Sequence, residues 1–464
     1  MISSRAISIV LVPTATVTGY ATYVRSTSQP PQAHSTIMTL KGSDRSGHEQ
    51  WRKINNGLGL VDVGRSCGDV AYENKVPLVI TCSGILNPEI RLPYINVLGS
   101  AAKTTSIDMS LWERFQQKYV DFLRLIWHVY PQITQLDRIR QQYGIHPTSF
   151  DVYAKWTNAL RLVNGFFGFA PAQPLGPLTH MVGPIINPDR QAKLGELEAA
   201  FLATRQRVAY VAFGQNLQPE PHGFRVLIGS LLDQLEKGNL DGVIWARFNH
   251  TVPTTVLSSV ERRMSVANRC HDVSRLIEAP YHAWFLTLDW APQFAILQHP
   301  STRVFVSHGG AESAHEALYN GVPLLIHPFV GDQALNGNAL QTVGVAMSHD
   351  RNKCTLEEVN YQLEYLLKDE NGYVASNLTR MQILTKIGSH RKHYAADLIE
   401  EHMFTSVDGV PVHRYDVSRS MSWMKSQDLD LHFIVVALSL YILWLIRMVF
   451  SKNYTKQGGK MLSS

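Results

Sequence analysis

The stretch from Trp290 to Gln333, WAPQFAILQHPSTRVFVSHGGAESAHEALYNGVPLLIHPFVGDQ, limits the folds open to this chain more than any other. Val304-Phe305-Val306-Ser307 is a short apolar run and His308-Gly309-Gly310 is a turn. Ala314 to Tyr319 are good helix formers, and Gly321 stops them before a second apolar run, Pro323 to Ile326. The grammar is strand, turn, helix, strand, loop. A glycine-rich turn between a strand and a helix aims backbone N–H groups and the positive helix end at one point, a natural seat for a diphosphate. Ser313 adds a hydroxyl donor in the first helical turn. Glu316, three residues on, shares that face and suits ribose hydroxyls. Asp332 and Gln333 follow the next strand, where a crevice outside the strand ends holds a sugar. Trp290 offers a base a flat apolar face.

At these positions and spacings the chain resembles the UDP-glycosyltransferases, nucleotide-sugar enzymes with the two-domain GT-B fold. The likeness extends from about residue 175 to 445 and looks closest to membrane-anchored fungal members. The resemblance implies that Trp290 stacks on uracil and that Gln293 helps hold the base. It implies that His308, Gly309, Gly310 and Ser313 meet the diphosphate, Glu316 the ribose, and Asp332 and Gln333 the sugar hydroxyls. Gln215, in the turn after the apolar strand Val208 to Phe213, approaches the donor by the same analogy. Glu312 departs from the usual Gly or Asn, and its carboxylate faces the phosphates unless it turns outward.

A chain of 464 residues is long enough for two domains with sizeable cores. Its net charge of +5 is too small to argue for nucleic acid. Cys67, Cys82, Cys270 and Cys354 show no CxxC or His-rich spacing, so no metal site and no disulfide framework follows. The fold class expected is α/β: two Rossmann-like domains facing across a cleft, plus a C-terminal transmembrane helix. The boundaries expected are an acceptor-side domain at 1–184, apparently abridged, and a UDP-sugar domain at 185–404. A return segment follows at 405–430, then a membrane helix at 431–450 and a basic tail at 451–464.

The N-terminus carries two readings. Arg5 followed by Ala6 to Val12 resembles the start of a signal peptide. Ile7 to Val12 equally reads as a buried first strand ending in a turn. In the family that strand leads to a His that deprotonates the acceptor, and here Tyr20 stands in its place. A neutral phenol with pKa near 10 is a poor base at neutral pH. LVDVGRSCGDVA resembles the segment whose Asp orients that His, and Asp62 is the match. Residues 104–144 read as helical, with Asp108 or Ser110 as cap and Leu111, Phe115, Tyr119, Phe122 and Ile126 on one stripe, read as core. Pro131 is expected to break the run. Thr355 to Glu358 is a capping box.

Leu431 to Phe450 is apolar and about twenty residues long, enough to span a bilayer. Lys452, Lys456 and Lys460 follow, which places the tail in the cytosol and the catalytic domains in the lumen of the endoplasmic reticulum. The sequons at Asn249 and Asn377 are compatible with that side. The activity implied is inverting transfer of a hexosyl group, glucose in preference to glucuronic acid, to a hydroxyl of a small apolar or lipid acceptor. The UDP-sugar is a co-substrate, and no further cofactor or metal is expected. A UDP-sugar-binding pseudoenzyme is the alternative that Tyr20 supports. A nucleotide-sugar epimerase fits the WxPQ stretch less well.

Overall fold

The structure, a computed structural model, describes residues 8–11, 68–84, 92–95, 105–146, 154–214, 219–246, 263–272, 281–329 and 332–458, short gaps within these ranges apart. Tyr20, Asp62, Gln215 and the Asn249 sequon lie outside the described residues. The chain divides into two compact units, residues 1–411 and 412–464.

The first unit holds two parallel sheets. The N-terminal one runs β1 (Ser8–Leu11), β2 (Leu78–Cys82), β3 (Leu160–Val163) and β4 (Thr179–Met181), in that order across the sheet. The stretch with two sequence readings therefore pairs as a strand, Ser8 opposite Leu78. β3 is buried along its whole length and β2 nearly so, as strands covered on both faces must be.

Between β2 and β3 lie α1 (Leu111–Phe115), a single π-helical stretch (Gln116–Asp121) and α2 (Phe122–Gln142). Ser110 is the cap: its Oγ accepts from Glu113 N–H at 3.3 Å, and Glu113 Oε2 accepts from Ser110 N–H at 2.7 Å. Two expectations change here. Pro131 lies inside α2, which loses one N–H there yet continues to Gln142. The stripe is not core where it is described: Leu111, Phe115 and Tyr119 are exposed and Ile126 is half-buried, and Trp112, Leu123, Trp127 and Tyr130 are exposed as well.

The second sheet has seven strands. Helix α3 (Glu196–Ala203) leads into β5 (Val208–Ala212), α4 (Pro221–Glu236) and β6 (Gly242–Ala246). A hairpin of β7 (Arg263–Val266) and β8 (Arg269–Asp272) precedes β9 (Tyr281–His282) and β10 (Phe285–Leu288). Then come α5 (Gln293–Gln298), β11 (Thr302–Ser307), α6 (Ala311–Asn320), β12 (Leu324–Ile326), α7 (Gln333–Thr342), β13 (Ala346–Ser348) and α8 (Leu356–Lys368). The strand order is β13-β12-β11-β5-β6-β10-β9, parallel except for the antiparallel edge strand β9. The chain builds one way from β5, then returns to β5's other side with β11. The switch point, where ligands bind outside the strand ends, therefore falls between β5 and β11. Thr355 caps α8, accepting from Glu358 N–H at 3.1 Å.

Helix α9 (Tyr373–Ser389) packs near α6, and α10 (Lys392–Thr405) lies on the N-terminal sheet, where Ala395 and Leu398 join Val79, Leu160, Leu162 and Val182. Residues before 405 thus already make part of the return to that sheet. Asn377 is only 7% exposed in α9, so its sequon is no glycan acceptor in the folded chain. In the second unit, α11 (Trp423–Ser426) precedes α12 (Leu429–Gly458). Leu429–Met448, 20 residues of mean hydropathy 2.2 with exposed side chains, is long and apolar enough to cross a membrane.

A buried ion cluster braces the N-terminal half. Arg140 Nε donates to Asp69 Oδ2 at 2.7 Å, and Lys155 Nζ lies 3.1 Å from Asp69 Oδ1 and 3.2 Å from Glu73 Oε1. The side chains of Arg140 and Asp69 are each 2% exposed. Asp69 thus joins the segment after Asp62 to α2 and to the turn before β3. Without Asp69, Arg140 keeps Asp137 at 3.0 Å and Lys155 keeps Glu73, but the buried charge-assisted bond to Arg140 Nε is lost. Asp69→Ala should lower unfolding stability by about 1.5–3 kcal/mol, read as a shifted denaturant midpoint.

Candidate donor-binding site

The seat is built from the ends of β5 and β11 upward. β11 stops at the buried Ser307, whose Oγ accepts from Gly309 N–H at 3.3 Å. Gly309 takes a φ of 85°, in the left-handed region that side chains disfavour. A Cβ there would also lie 2.7 Å from Ile326 Cγ2 and 3.0 Å from Gln333 O. At Gly310 a Cβ would collide with the His308 imidazole. Both positions therefore need glycine, and the turn packs flat on the next strand and loop.

Gly310 is also the N-cap of α6, with no side chain capping it. The first-turn N–H groups are left to an outside acceptor, and the helix end is positive. His308 stands beside this end and over Gly214, which follows β5. Burial pushes the His308 imidazole down to about 4, so it is neutral at pH 7. Glu312 is exposed and so turns outward, away from the position where its charge would oppose an anion.

One face of α6 continues the site. Gln293 Nε2, at the start of α5, donates to Glu316 Oε2 at 2.8 Å and reaches Ser313 Oγ at 3.3 Å. Three of the residues singled out in the sequence therefore meet. Burial raises the Glu316 carboxyl above its usual range; Gln293 opposes that and the nearby Glu312 charge adds to it. Trp290, on the turn before α5, is 67% exposed, which leaves its ring open.

On the other flank Asp332 is the N-cap of α7. Burial raises its carboxyl, with Asn336 acting against the shift. Asn336 Nδ2 donates to Asp332 Oδ2 and to Gly309 O, both at 3.0 Å. It clasps the start of α7 to the Gly309 turn, and the sequence reading missed it. Its place one turn after Asp332 was the available signal. Gln333 is buried, and its Oε1 accepts from Phe329 N–H at 2.8 Å, which fixes the loop itself.

The back of α6 holds a second unforeseen residue. His315 is buried between the rings of Phe166 and Phe169, with centroids 5.9 and 4.9 Å away. Burial pushes it down to about 4. His308 and His315 stay neutral in the folded chain while the unfolded chain takes up protons near pH 6.5. The stability these two supply should therefore be lost as pH drops from about 6.5 to about 4, and His327, pushed by burial to about 3, carries the fall further. His308 and His315 each contribute about 3 kcal/mol to that fall. Unfolding midpoints measured across this range check it, and His315→Met should flatten part of the slope.

Comparison with known proteins matches the same region. Residues 146–388 match the family described as UDP-glucoronosyl and UDP-glucosyl transferase. A UDP-glycosyltransferase of Talaromyces amestolkiae is 32% identical over 387 residues, covering 80% of this chain and 71% of the relative. The UDP-glycosyltransferase stmC of Aspergillus ustus is 32% identical over 393 residues, with the same coverage. A solved glycotransferase of kitacinnamycin superposes with a TM-score of 0.50 at 16% identity, covering 74% of each chain, and shares the GT-B architecture. With its donor turn at the sheet's switch point and these relatives along most of its length, the chain belongs to the UDP-glycosyltransferase family.

Proposed function

We propose that the protein transfers a hexosyl group, glucose in preference to glucuronic acid, from a UDP-sugar to a hydroxyl of a small apolar or lipid acceptor. The observation that carries this reading is the joined group Gln293–Ser313–Glu316 beside the uncapped start of α6, together with the open Trp290 ring. Uracil stacks on Trp290, Glu316 accepts from the ribose, and the diphosphate rests on the α6 N–H groups, His308 and Ser313. Gln215 completes the phosphate side. The acceptor oxygen attacks the anomeric carbon as the bond to the diphosphate breaks, with inversion, and UDP leaves. The helix end and the Ser313 hydroxyl stabilise the charge that develops on the leaving oxygen. Asp332 and Gln333 serve the sugar hydroxyls, Gln333 chiefly by holding the loop.

The acceptor's proton goes to a base in the N-terminal half. By sequence resemblance Tyr20 takes the family's His position and Asp62 that of the Asp that orients it. That substitution favours a second reading, a UDP-sugar-binding pseudoenzyme that regulates or partners an active transferase. Leu429–Met448 anchors either form in the membrane of the endoplasmic reticulum, with the catalytic domains lumenal and the lysine-bearing tail cytosolic.

UDP release from UDP-glucose and UDP-glucuronic acid, with a panel of phenol and lipid acceptors, tests these readings. Wild type should turn over UDP-glucose faster. Trp290→Ala should raise the donor KM about 5- to 150-fold, from the ~1–3 kcal/mol of a base stacked on an aromatic ring. Donor binding without turnover in wild type, and turnover in Tyr20→His, would replace the transferase with the pseudoenzyme.

A further inference from the structure

β12 and β13 are parallel neighbours with Ile326 beside Ser348. The residues that leave the two strands, His327 and His349, therefore emerge side by side at the C-terminal edge of the sheet. The His327 backbone N–H donates to Ser307 O at 2.8 Å, which fixes its place. The loop into α8 then brings back Cys354, one residue before the cap Thr355. All three side chains are buried, and a donor atom from each lies within 4.8 Å of the other two. The rings of Phe213 and Phe329 wall the cluster on the His327 side, with centroids 6.2 and 5.2 Å away. None of the three belongs to the donor seat described above.

The surroundings orient these donors. His349 Nδ1 lies 2.8 Å from Gln362 Oε1, while Gln362 Nε2 donates to Ser348 O at 3.4 Å. With the amide oxygen accepting, His349 carries its hydrogen on Nδ1 and presents a lone pair at Nε2. That lone pair faces His327 Nδ1 at 2.8 Å. An imidazole with one nitrogen committed to a fixed acceptor and the other bare is the arrangement of a metal-bound histidine. His222 Nε2 donates to Cys354 O at 2.9 Å and holds the thiol's loop. Gly223 makes room for His327, since a Cβ there would lie 2.8 Å from its Nε2.

We propose that His327, His349 and Cys354 form a binding site for a transition-metal cation of the Zn2+ or Cu+ class. Two imidazole nitrogens and a thiolate select such ions, whereas Mg2+ and Ca2+ require oxygen ligands. The ion takes the place of the hydrogen between the two imidazoles. Opening the nitrogens from 2.8 Å to about 3.3 Å suits bonds of ~2.05 Å to a tetrahedral ion. The Cys354 thiol releases its proton to solvent, and the His327 hydrogen moves from Nδ1 to Nε2, so one proton leaves per ion bound. Arg351, which pairs with Glu220 at 3.7 Å, lies close enough to His327 to act on its charge. A monovalent ion with the thiolate is neutral and escapes that repulsion. The bound ion ties together the ends of β12 and β13 and the start of α8.

The test uses the purified full chain in detergent, stripped with a chelator and then titrated separately with Zn2+, Cu+ and Mg2+ against a competing chromophoric chelator. Zn2+ or Cu+ should bind at one equivalent per chain and release one proton, while Mg2+ should not compete. X-ray absorption of the loaded wild type should show one sulfur at about 2.3 Å and, with Zn2+, two imidazole nitrogens at about 2.0–2.1 Å. C354S and H349Q should each weaken binding at least ~10–100-fold, the range seen when a metal's supporting contacts alone are lost. H390Q, at an exposed histidine, should bind as wild type does. Sub-stoichiometric binding, a first shell without sulfur, or equal affinity in C354S would overturn the proposal. Should a variant misfold, the wild-type absorption spectrum decides alone.

Discussion

The candidate donor site depends on one backbone reversal. At Gly309 the chain leaves β11 with a φ of 85°, and the missing side chain lets the turn lie against Ile326 and Gln333. Only then does α6 start where its uncapped N–H groups face the crevice between β5 and β11. The rest follows from that placement. Ser313 and Glu316 come round on one face of α6, Gln293 reaches them from α5, and Asn336 ties the turn to Asp332. A side chain at Gly309 would push the turn off β12 and move all of these together.

Electrostatics reinforces the same geometry. Burial keeps His308 neutral and raises the carboxyls of Glu316 and Asp332, because the site is withdrawn from water. Glu312, the one acidic residue in the first turn of α6, points to solvent. The seat is therefore tuned by exclusion of water as much as by the donors it presents.

Much of this was legible in the sequence because it is local. The run from Val304 to Ile326 carries its strand, turn and helix in consecutive residues, and Gly321 ends α6 in the left-handed conformation that the glycine suggested. Ser313 and Glu316 share a face by spacing alone. What escaped was assembled from distant parts of the chain. Asp69, Arg140 and Lys155 meet across three elements, and His327 meets His349 and Cys354 from a different loop, so no spacing announces either cluster. The aromatic stripe of α1 and α2 misled for a different reason. Periodicity reports that a helix has an apolar face, not what that face meets, and here it meets solvent. Pro131 was read as a stop, yet a helix that already has its neighbouring hydrogen bonds survives the loss of one donor.

The packing of His315 has a consequence for how such a protein can be recombined. Phe166 and Phe169 lie between β3 and β4 of the N-terminal sheet, yet they belong to the core beneath the seven-stranded sheet and close over the back of α6. The halves therefore interleave, because the chain returns to the N-terminal sheet as β4 after leaving these two rings. A chimaera joined after β4 would pair the α6 of one parent with the aromatic clamp of another. Exchange of N-terminal halves between relatives is then restricted to parents whose residues at 166, 169 and 315 fit together.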